Sequence, residues 1–243
     1  MNSGIIFEQP LNERMRTLLR LEHLFRLTDH EMKGASQWDT RIALNTLLDI
    51  VDLVSRADIK GELIKELERH GATFKALKEN PGVDLKRLDQ VLDDINACLA
   101  ELRDKNYQPG FAIKQNELVT AVRQRNAILG GSCNFDLPSY HLWLNRPLEV
   151  RRQSLTYWRE DLETIRKSAF LLLNLIRNSS NPTLEKAENG LFQKNLEQGN
   201  TCLLIRIIMP EETYCFPEIS GGKHRFSIRF MEQRDTANRP APV

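Results

Sequence analysis

Two stretches of the chain, separated by a Pro-Gly turn, carry apolar side chains at the three- and four-residue spacing of packed helices. The first set is Ile59, Leu63, Leu67, His70, Phe74 and Leu77. The second set is Leu85, Leu88, Leu92, Ile95, Leu99 and Leu102. Between the two sets, Pro81 and Gly82 break the first helix, and Asp84 is a good N-cap for the second. The pattern predicts an antiparallel helical hairpin whose arms are each roughly 27 Å long, at about 1.5 Å per residue.

Further helices are predicted on both sides of this hairpin. Helical periodicity covers approximately residues 11–27, 38–54 and 115–129. A longer pattern over 147–178 predicts a helix of about 48 Å, and residues 140–144 are predicted to form a short strand. The apolar seam of the long helix is Leu155, Trp158, Leu162, Ile165, Ala169, Leu172 and Ile176.

Beyond residue 178 the helical periodicity fades, and short runs typical of β-strands follow. Residues 202–208 are rich in β-branched side chains, and residues 226–231 alternate between apolar and polar side chains. Segments 213–216 and 190–196 are weaker strand candidates. These runs predict an antiparallel sheet of roughly four strands.

The order of these elements predicts an α+β fold that is predominantly α-helical. We expect a mainly helical, bundle-like domain over 1–136. A second region over 137–235 holds the short strand, the long helix 147–178 and the smaller antiparallel β domain. The long helix is also long enough to pack with the helical domain. Residues 236–243 should form a flexible tail.

The overall charge is nearly balanced, with 34 Lys+Arg against 33 Asp+Glu. Residues 1–110 hold 16 basic and 19 acidic side chains, whereas residues 111–243 hold 18 and 14. A general binder of polyanions is usually clearly basic. The balance therefore argues against nucleic acid as the partner, and an acidic ligand should be sought at the second half.

Neither the N-terminal residues nor the cysteines indicate export from the cell. No apolar run reaches the roughly 20 residues that cross a bilayer, and residues 1–10 lack the pattern of a secretory signal. Cys98, Cys133, Cys202 and Cys215 are far apart and show no metal-binding spacing. Cys98 lies on an apolar helix face and is predicted to be a core residue. We expect a cytoplasmic protein without disulfides, metal or membrane insertion.

Motifs for catalysis or phosphate binding are absent from the sequence. One stretch permits a catalytic hypothesis, because Cys133 precedes His141 by eight residues and a cysteine nucleophile can use a histidine base. The alternative, which we favour, is that Gly130 and Gly131 end a helix and that a buried Cys133 follows.

A basic group near the C-terminus is more informative. Lys223, His224, Arg225 and Arg229 occur within seven positions. Because side chains alternate along a strand, Arg225, Ser227 and Arg229 share one face of the predicted strand. Two guanidinium groups on one face repel each other, so a ligand that carries carboxylates would explain them. The alternative is an ordinary solvated sheet face.

Four irregular motifs of the chain are specific enough to compare with a known family. They are the opening Phe7-Glu8-Gln9-Pro10-Leu11-Asn12-Glu13-Arg14-Met15-Arg16-Thr17, the turn Pro81-Gly82-Val83-Asp84, and residues 122–144 and 219–231. In order and spacing they resemble the start, the hairpin turn, the central motif and the C-terminal strand motif of the ZapD (YacF) proteins of the bacterial division ring. The resemblance covers nearly the whole chain.

The resemblance implies a non-enzymatic, cytoplasmic homodimer that needs no cofactor. Proteins of this family bind the C-terminal tail of FtsZ, the tubulin-like GTPase, and cross-link FtsZ protofilaments into bundles that support the ring at midcell during septation. A dimer with two equivalent sites is able to bridge two filaments. A nucleic-acid-binding module that uses the basic C-terminal half is the alternative function.

The resemblance also implies which side chains bind the tail. Matching positions carry over Arg16, Arg20, Arg56, His141, Lys223, Arg225 and Arg229. At position 117 the family pattern favours a basic residue, whereas this chain has Glu117, with Lys114 one turn earlier.

Overall fold

The computed structural model describes residues 4–56, 58–196, 202–222, 225–234 and 241–243. Helices make up most of these residues, and short antiparallel strands account for the C-terminal part. The predicted α+β, predominantly helical class is confirmed.

The helices are named in chain order. They are α1 (Glu13–Glu31), α2 (Gln37–Arg56), α3 (Ile59–Ala76), α4 (Leu85–Arg103), α5 (Phe111–Gln115), α6 (Glu117–Asn126), α7 (Pro138–Leu144), α8 (Leu148–Glu160) and α9 (Glu163–Arg177). A 3₁₀ turn at Leu77–Glu79 follows α3. The strands are β1 (Gly4–Pro10), β2 (Leu191–Asn195), β3 (Leu204–Pro210), β4 (Cys215–Gly221), β5 (Arg225–Glu232) and β6 (Ala241–Pro242).

The chain divides into two compact units. The helical unit comprises Arg20–Leu173, and the strand unit comprises Met1–Leu19 together with Asn174–Val243. Within the helical unit, α2 contacts α3, α7 and α8. Its buried face supplies much of the apolar core, so the other helices are positioned relative to α2.

The predicted helical hairpin is confirmed as the antiparallel pair α3 and α4. Asp84 caps α4, because its side chain accepts a hydrogen bond from the backbone N–H of Arg87 at 3.1 Å. The seam is buried near the base of the hairpin and exposed near its turn, where Leu77 and Leu85 are exposed. Cys98 is buried on α4 as predicted, and burial raises the pKa of its thiol.

The strand predicted over 140–144 is wrong, because these residues belong to α7. Pro138 occupies the first turn of this helix, where its missing N–H has no cost. The buried residues Leu137, Tyr140 and Leu144 follow the helical spacing of three and four. The apolar and polar side chains over residues 140–144 resembled those of a strand, because so short a segment fits both the two-residue period of a strand and the 3.6-residue period of a helix.

The long helix predicted over 147–178 is interrupted at Asp161 and Leu162. Its seam is buried as predicted from Leu155 to Leu172, whereas Ile176 is half-buried. The helix is not continuous, because α8 ends at Glu160 and α9 begins at Glu163. The carboxylate of Asp161 accepts a hydrogen bond from the N–H of Ala112 at 2.9 Å. This contact joins the break to the first turn of α5, a tertiary interaction that helical periodicity does not reveal.

A network of charged side chains holds α1 against both sides of this break. Asp29 on α1 accepts hydrogen bonds from Arg159 at 2.6 Å and from Arg166 at 3.2 Å. Glu163 pairs with the same two arginines at 3.0 and 3.1 Å. All four side chains are only 20–29% exposed, so solvent screens these pairs less than it screens ordinary surface pairs.

A four-stranded antiparallel sheet is present as predicted, but the strand predicted over 202–208 is not part of it. In the strand unit, β3 pairs with β1, an N-terminal strand that the sequence patterns did not indicate. The other strands form a separate antiparallel sheet in the order β2-β5-β4, and β6 pairs with β5. The predicted flexible tail is described only at its end, where Ala241–Pro242 form β6; residues 235–240 lie outside the described residues.

The strand β1 is held by charge as well as by backbone pairing. Arg177 donates two hydrogen bonds to the carboxylate of Glu8, at 2.8 and 2.6 Å. Arg206 on β3 also contacts Glu8, at 2.8 Å. The Phe7-Glu8-Gln9-Pro10 motif therefore has a structural role in this unit.

The phenol of Tyr140 on α7 is buried, and among the described residues its hydroxyl has no hydrogen-bond partner. Its ring stacks on Trp143 at 5.9 Å between centroids, and the guanidinium carbon of Arg41 lies 4.9 Å from the ring centroid. Burial, opposed only in part by the Arg41 cation, raises the pKa of Tyr140 to about 12.

We expect Tyr140→Phe to leave the free energy of unfolding at pH 7 unchanged or slightly higher, because it removes a hydroxyl that lacks a partner. Below about pH 10, Tyr140 is neutral in both states. Above that pH the Tyr140 phenol ionises in the unfolded state before it ionises in the folded state. The free energy of unfolding of the wild type therefore falls as the pH rises towards 12, by about 1 kcal/mol at pH 11. Urea unfolding of both proteins at pH 7 and pH 11 measures this difference. A loss exceeding about 1 kcal/mol at pH 7 in the variant would contradict the prediction, because it would indicate that the hydroxyl is hydrogen-bonded.

Candidate functional site

The strand β5 presents two exposed arginines on one face. Arg225 and Arg229 are exposed, with the half-buried Ser227 between them, and Ile228 is buried on the opposite face. Arg225 and Arg229 are four positions apart on an extended strand, so their Cα atoms are separated by about 14 Å. This distance exceeds the physiological Debye length of about 8 Å, so mutual repulsion is weak. The pair is suited to two points of an extended anionic segment rather than to one carboxylate.

The neighbouring strands give the two arginines different surroundings. Arg229 lies opposite Glu218 on β4, and both residues are exposed on the same face. Arg225 lies opposite Asn195 on β2, while its backbone carbonyl accepts a hydrogen bond from Gly222 at 3.0 Å. A ligand carboxylate that binds Arg229 therefore competes with the carboxylate of Glu218. Arg225 instead lies opposite the neutral side-chain amide of Asn195 on β2.

Among the described residues, one further predicted residue belongs to the strand unit. Arg16 on α1 is 43% exposed and forms an ion pair with Glu13 at 2.6 Å. This pair leaves less of its positive charge for a ligand. Lys223 lies outside the described residues.

The remaining predicted residues, Arg20, Arg56 and His141, are all exposed side chains of the helical unit. Arg20 is on α1, and Arg56 is the last residue of α2, where a cation is favoured by the helix dipole. His141 is on α7, and its Nε2 atom lies 3.4 Å from the side-chain amide nitrogen of Asn145.

His141 and Arg56 lie near opposite ends of α2 and do not form one pocket. The end of α7 is joined to the first turn of α2 by a 2.8 Å hydrogen bond from Gln37 to Asn145. The contact between Arg41 on α2 and the ring of Tyr140 on α7 also shows that α7 lies at the first turns of α2. Fifteen residues separate Arg41 from Arg56, which is about 22 Å along the helix. One ligand that contacted both ends would have to be an extended segment of about seven residues.

The acidic residue at position 117 has a local structural explanation. Glu117 is exposed and begins α6, whose N-cap Asn116 accepts a hydrogen bond from the N–H of Val119 at 3.1 Å. A carboxylate in the first turn is stabilised by the positive end of the helix dipole. Lys114 lies in the preceding helix α5 and lines a small groove with Thr120 and Arg123.

The central motif does not assemble a catalytic pair in the described residues. Gly130 adopts a left-handed conformation with φ of 69°, but it lies in a turn after α6, which already ends at Asn126, so the predicted helix end at the glycines is wrong. Cys133 is exposed, so its predicted burial is wrong. The ring of His141 has the amide of Asn145 as its neighbour, and no hydrogen bond joins it to Cys133.

The described part of the chain holds no candidate for a metal site or for a membrane-spanning helix. No group of three or more His, Cys, Asp or Glu side chains there is arranged to hold a metal ion. None of the helices in that part is long and apolar enough to cross a bilayer.

Comparison with known proteins identifies the family. The sequence model of ZapD, described as a cell division protein, matches residues 19–229. A Methylococcus capsulatus protein named "Cell division protein ZapD" is 43% identical over 231 residues, which cover 95% of this chain and 91% of that protein. The chain belongs to the ZapD family. Its role is therefore in cell division, and the resemblance inferred from the motifs is confirmed.

Two further relatives with the same name extend the match. The Ralstonia pickettii protein is 38% identical over 240 residues, or 98% of this chain and 94% of that protein. The Nitrosomonas eutropha protein is 38% identical over 230 residues, or 95% of this chain and 91% of that protein. The similarity therefore spans both the helical unit and the strand unit.

One surface feature was missed by the sequence patterns. Large apolar side chains, including Trp38, Leu129 and Phe135, are exposed on the helical unit. Periodicity within one helix identifies its buried face, but it does not show which side chains from distant segments meet at the surface. The only available signal was that Trp38 precedes the apolar stripe of α2.

Proposed function

We propose that this protein binds the C-terminal tail of FtsZ and cross-links FtsZ protofilaments into bundles, thereby supporting assembly of the division ring. Its full-length similarity to cell division proteins supports the proposal, together with the exposed pair Arg225 and Arg229 on one face of β5. It acts without catalysis and without a cofactor, as a homodimer in the cytoplasm at the midcell ring.

The arrangement of the basic side chains suits a short peptide. A C-terminal tail ends in a carboxylate, and guanidinium groups bind carboxylates through charge-assisted hydrogen bonds. An extended segment of four to five residues spans the roughly 14 Å between Arg225 and Arg229. So few contacts give weak binding at each site, and the exposed charges make it sensitive to salt.

Weak single sites are sufficient when the partner is a polymer. A dimer that has captured one tail holds its second site close to further tails. The effective affinity then rises by about 10²–10⁴-fold without any new contact. Bundling therefore requires two sites per assembly rather than one strong site.

Binding of a labelled FtsZ tail peptide, followed by fluorescence anisotropy, tests this function. We expect saturable binding that weakens as the salt concentration rises, and no binding of a peptide with the same composition in scrambled order. Duplex DNA at moderate salt is the comparison for the alternative function, because phosphate contacts make binding fall steeply with salt. Binding of DNA without binding of the peptide would exclude the proposed function.

A further inference from the structure

The strand β5 is the middle strand of its sheet at the two candidate arginines. Residues 225–229 pair with β2 on one side, and residues 226–229 pair with β4 on the other. The backbone N–H and C=O groups of such a strand are used by its two neighbours. A ligand that lies over Arg225 and Arg229 therefore cannot extend the sheet at this place and must be bound by side chains.

Three neutral polar side chains form a row across the sheet, midway between the two arginines. Ser227 lies on β5, opposite Gln193 on β2 and opposite Ser220 on β4. Residues directly opposite each other in an antiparallel sheet share a face, and Ser227 is two positions from each arginine. The three side chains therefore lie on the same face as Arg225 and Arg229. We call Gln193, Ser220 and Ser227 the polar row.

The polar row is open to a ligand. Gln193 and Ser220 are exposed, and Ser227 is half-buried. In the part of the chain that the structure describes, none of these three side chains forms a hydrogen bond with another residue. Hydroxyl and carboxamide groups both donate and accept hydrogen bonds. The row is therefore able to pair with the N–H groups and with the C=O groups of a ligand backbone.

The distances match an extended peptide rather than a helical one. The Cα atoms of Arg225 and Arg229 are about 14 Å apart, with the polar row about 7 Å from each. In an extended peptide, side chains four positions apart project to the same side and are also separated by about 14 Å. In an α-helix the same two positions are only about 6 Å apart along the axis. A segment with carboxylates four positions apart is therefore matched to both arginines when it is extended.

Binding in this way places the middle of the segment over the polar row. Contact with the sheet removes water from the backbone amides of the segment, and an amide that loses water without gaining a partner weakens binding. The row supplies those partners, whereas apolar side chains at the same positions would leave the amides unsatisfied. The arginines thus fix the two ends of the segment, and the row binds the backbone between them.

We propose that the polar row holds the backbone of an extended segment of the FtsZ tail, between two carboxylates four positions apart that pair with Arg225 and Arg229. The row positions the ligand without contributing charge, and the two arginines set the spacing of the carboxylates. The inference rests on the proposed function, because it names the conformation of the ligand and the spacing of its charges at the same site.

Model peptides test the spacing. The probes are labelled, end-blocked peptides of glycine, serine and threonine that carry two glutamates either four or two positions apart. In fluorescence anisotropy, we expect the peptide with four-position spacing to bind at least about fivefold more tightly, because it meets both arginines without bending. Arg225→Glu and Arg229→Glu should each remove this preference. Equal affinities, or no binding of either peptide, would overturn the proposal.

The double variant Gln193→Met/Ser220→Ala tests the row itself. Both residues are exposed, so the variant removes hydrogen-bonding groups without removing a buried contact or a charge. We expect it to bind the peptide with four-position spacing about tenfold more weakly, with the salt dependence of the affinity unchanged. The matched control Gln108→Met/Ser180→Ala exchanges the same residue types at exposed positions outside the sheet. Wild-type binding by the row variant, or an equal loss in the control, would overturn the proposal.

Methylation of the peptide backbone separates direct contact from a change in fold. The amides between the two glutamates are methylated one at a time, so that each in turn loses its hydrogen-bond donor. At least one methylated peptide should bind wild type more weakly than the parent peptide, while the row variant binds both equally. The same loss in both proteins would show that the row does not contact the backbone.

The labelled FtsZ tail keeps this proposal distinguishable from the proposed function. If wild type binds the tail but does not distinguish the two spacings, the proposed function stands and the inference fails. If wild type prefers four-position spacing and this binding depends on the polar row, but the tail is not bound, the reading of the row stands and the proposed function fails.

Discussion

Replacing Arg225 or Arg229 with glutamate should abolish co-sedimentation of this protein with FtsZ polymers while its fold and its dimer survive. Both side chains are exposed on β5, so their replacement removes no buried contact. Each substitution exchanges an attraction to a tail carboxylate for a repulsion. A single tail makes few contacts, and each substitution removes one of them at both binding sites of the dimer. The increase in effective affinity that comes from binding two tails is therefore lost as well.

The neighbouring strands predict an order among these variants. In binding of the labelled tail peptide, Arg225→Glu should cause the larger loss of affinity, because Arg229 already lies opposite Glu218. Replacing Glu218 with glutamine should strengthen tail binding, since it removes the competing carboxylate. Lys86→Glu is the matched control: Lys86 is exposed in the first turn of α4, where the helix dipole favours an acidic side chain. Wild-type pelleting by both arginine variants would exclude this face of β5 as the tail site.

Replacing Arg151 with methionine should cause a large loss of stability, about 2–4 kcal/mol. Arg151 on α8 is only 6% exposed. It donates hydrogen bonds to the backbone carbonyls of Ala35, Ser36 and Arg146 at 3.0–3.1 Å, and to the hydroxyl of Thr40. The guanidinium thus holds the loop before α2, and methionine would leave several acceptors without this donor.

Its neighbour Arg152 provides the matched control for urea unfolding. Arg152 donates to the carbonyls of Lys33 and Gly34 in the same loop, at 2.9 and 3.5 Å, but its side chain is 37% exposed. Water can replace those hydrogen bonds, so we expect Arg152→Met to cost less than about 1 kcal/mol. Arg151→Lys should also be destabilising, because one ammonium cannot reach acceptors that a planar guanidinium spans. Equal stability of the two methionine variants would contradict the role assigned to Arg151.

The parts of the fold that depend on local signals could be predicted from the sequence. The hairpin of α3 and α4 was predictable because a seven-residue apolar rhythm, a Pro-Gly turn and the N-cap Asp84 agree. The faces of α8 and α9 were predictable for the same reason. The break at Asp161 was not, because it depends on a hydrogen bond to the distant Ala112.

Long-range pairing explains the other differences. The strand β1 becomes recognisable only through its partner β3, about 200 residues later, and through the contact of Glu8 with Arg177. For the candidate site, alternation along one strand was enough to place Arg225 and Arg229 on the same face. The opposition of Glu218 and the exposure of Trp38 depend on neighbours in space, which a sequence pattern does not supply.

We propose above all that this protein binds FtsZ through the FtsZ C-terminal tail and thereby cross-links filaments. Pelleting with polymers of full-length FtsZ and of FtsZ lacking that tail is the decisive experiment. We expect the protein to enter the pellet and to increase the pelleted FtsZ only when the tail is present. Equal pelleting with and without the tail, or none with either polymer, would contradict the claim.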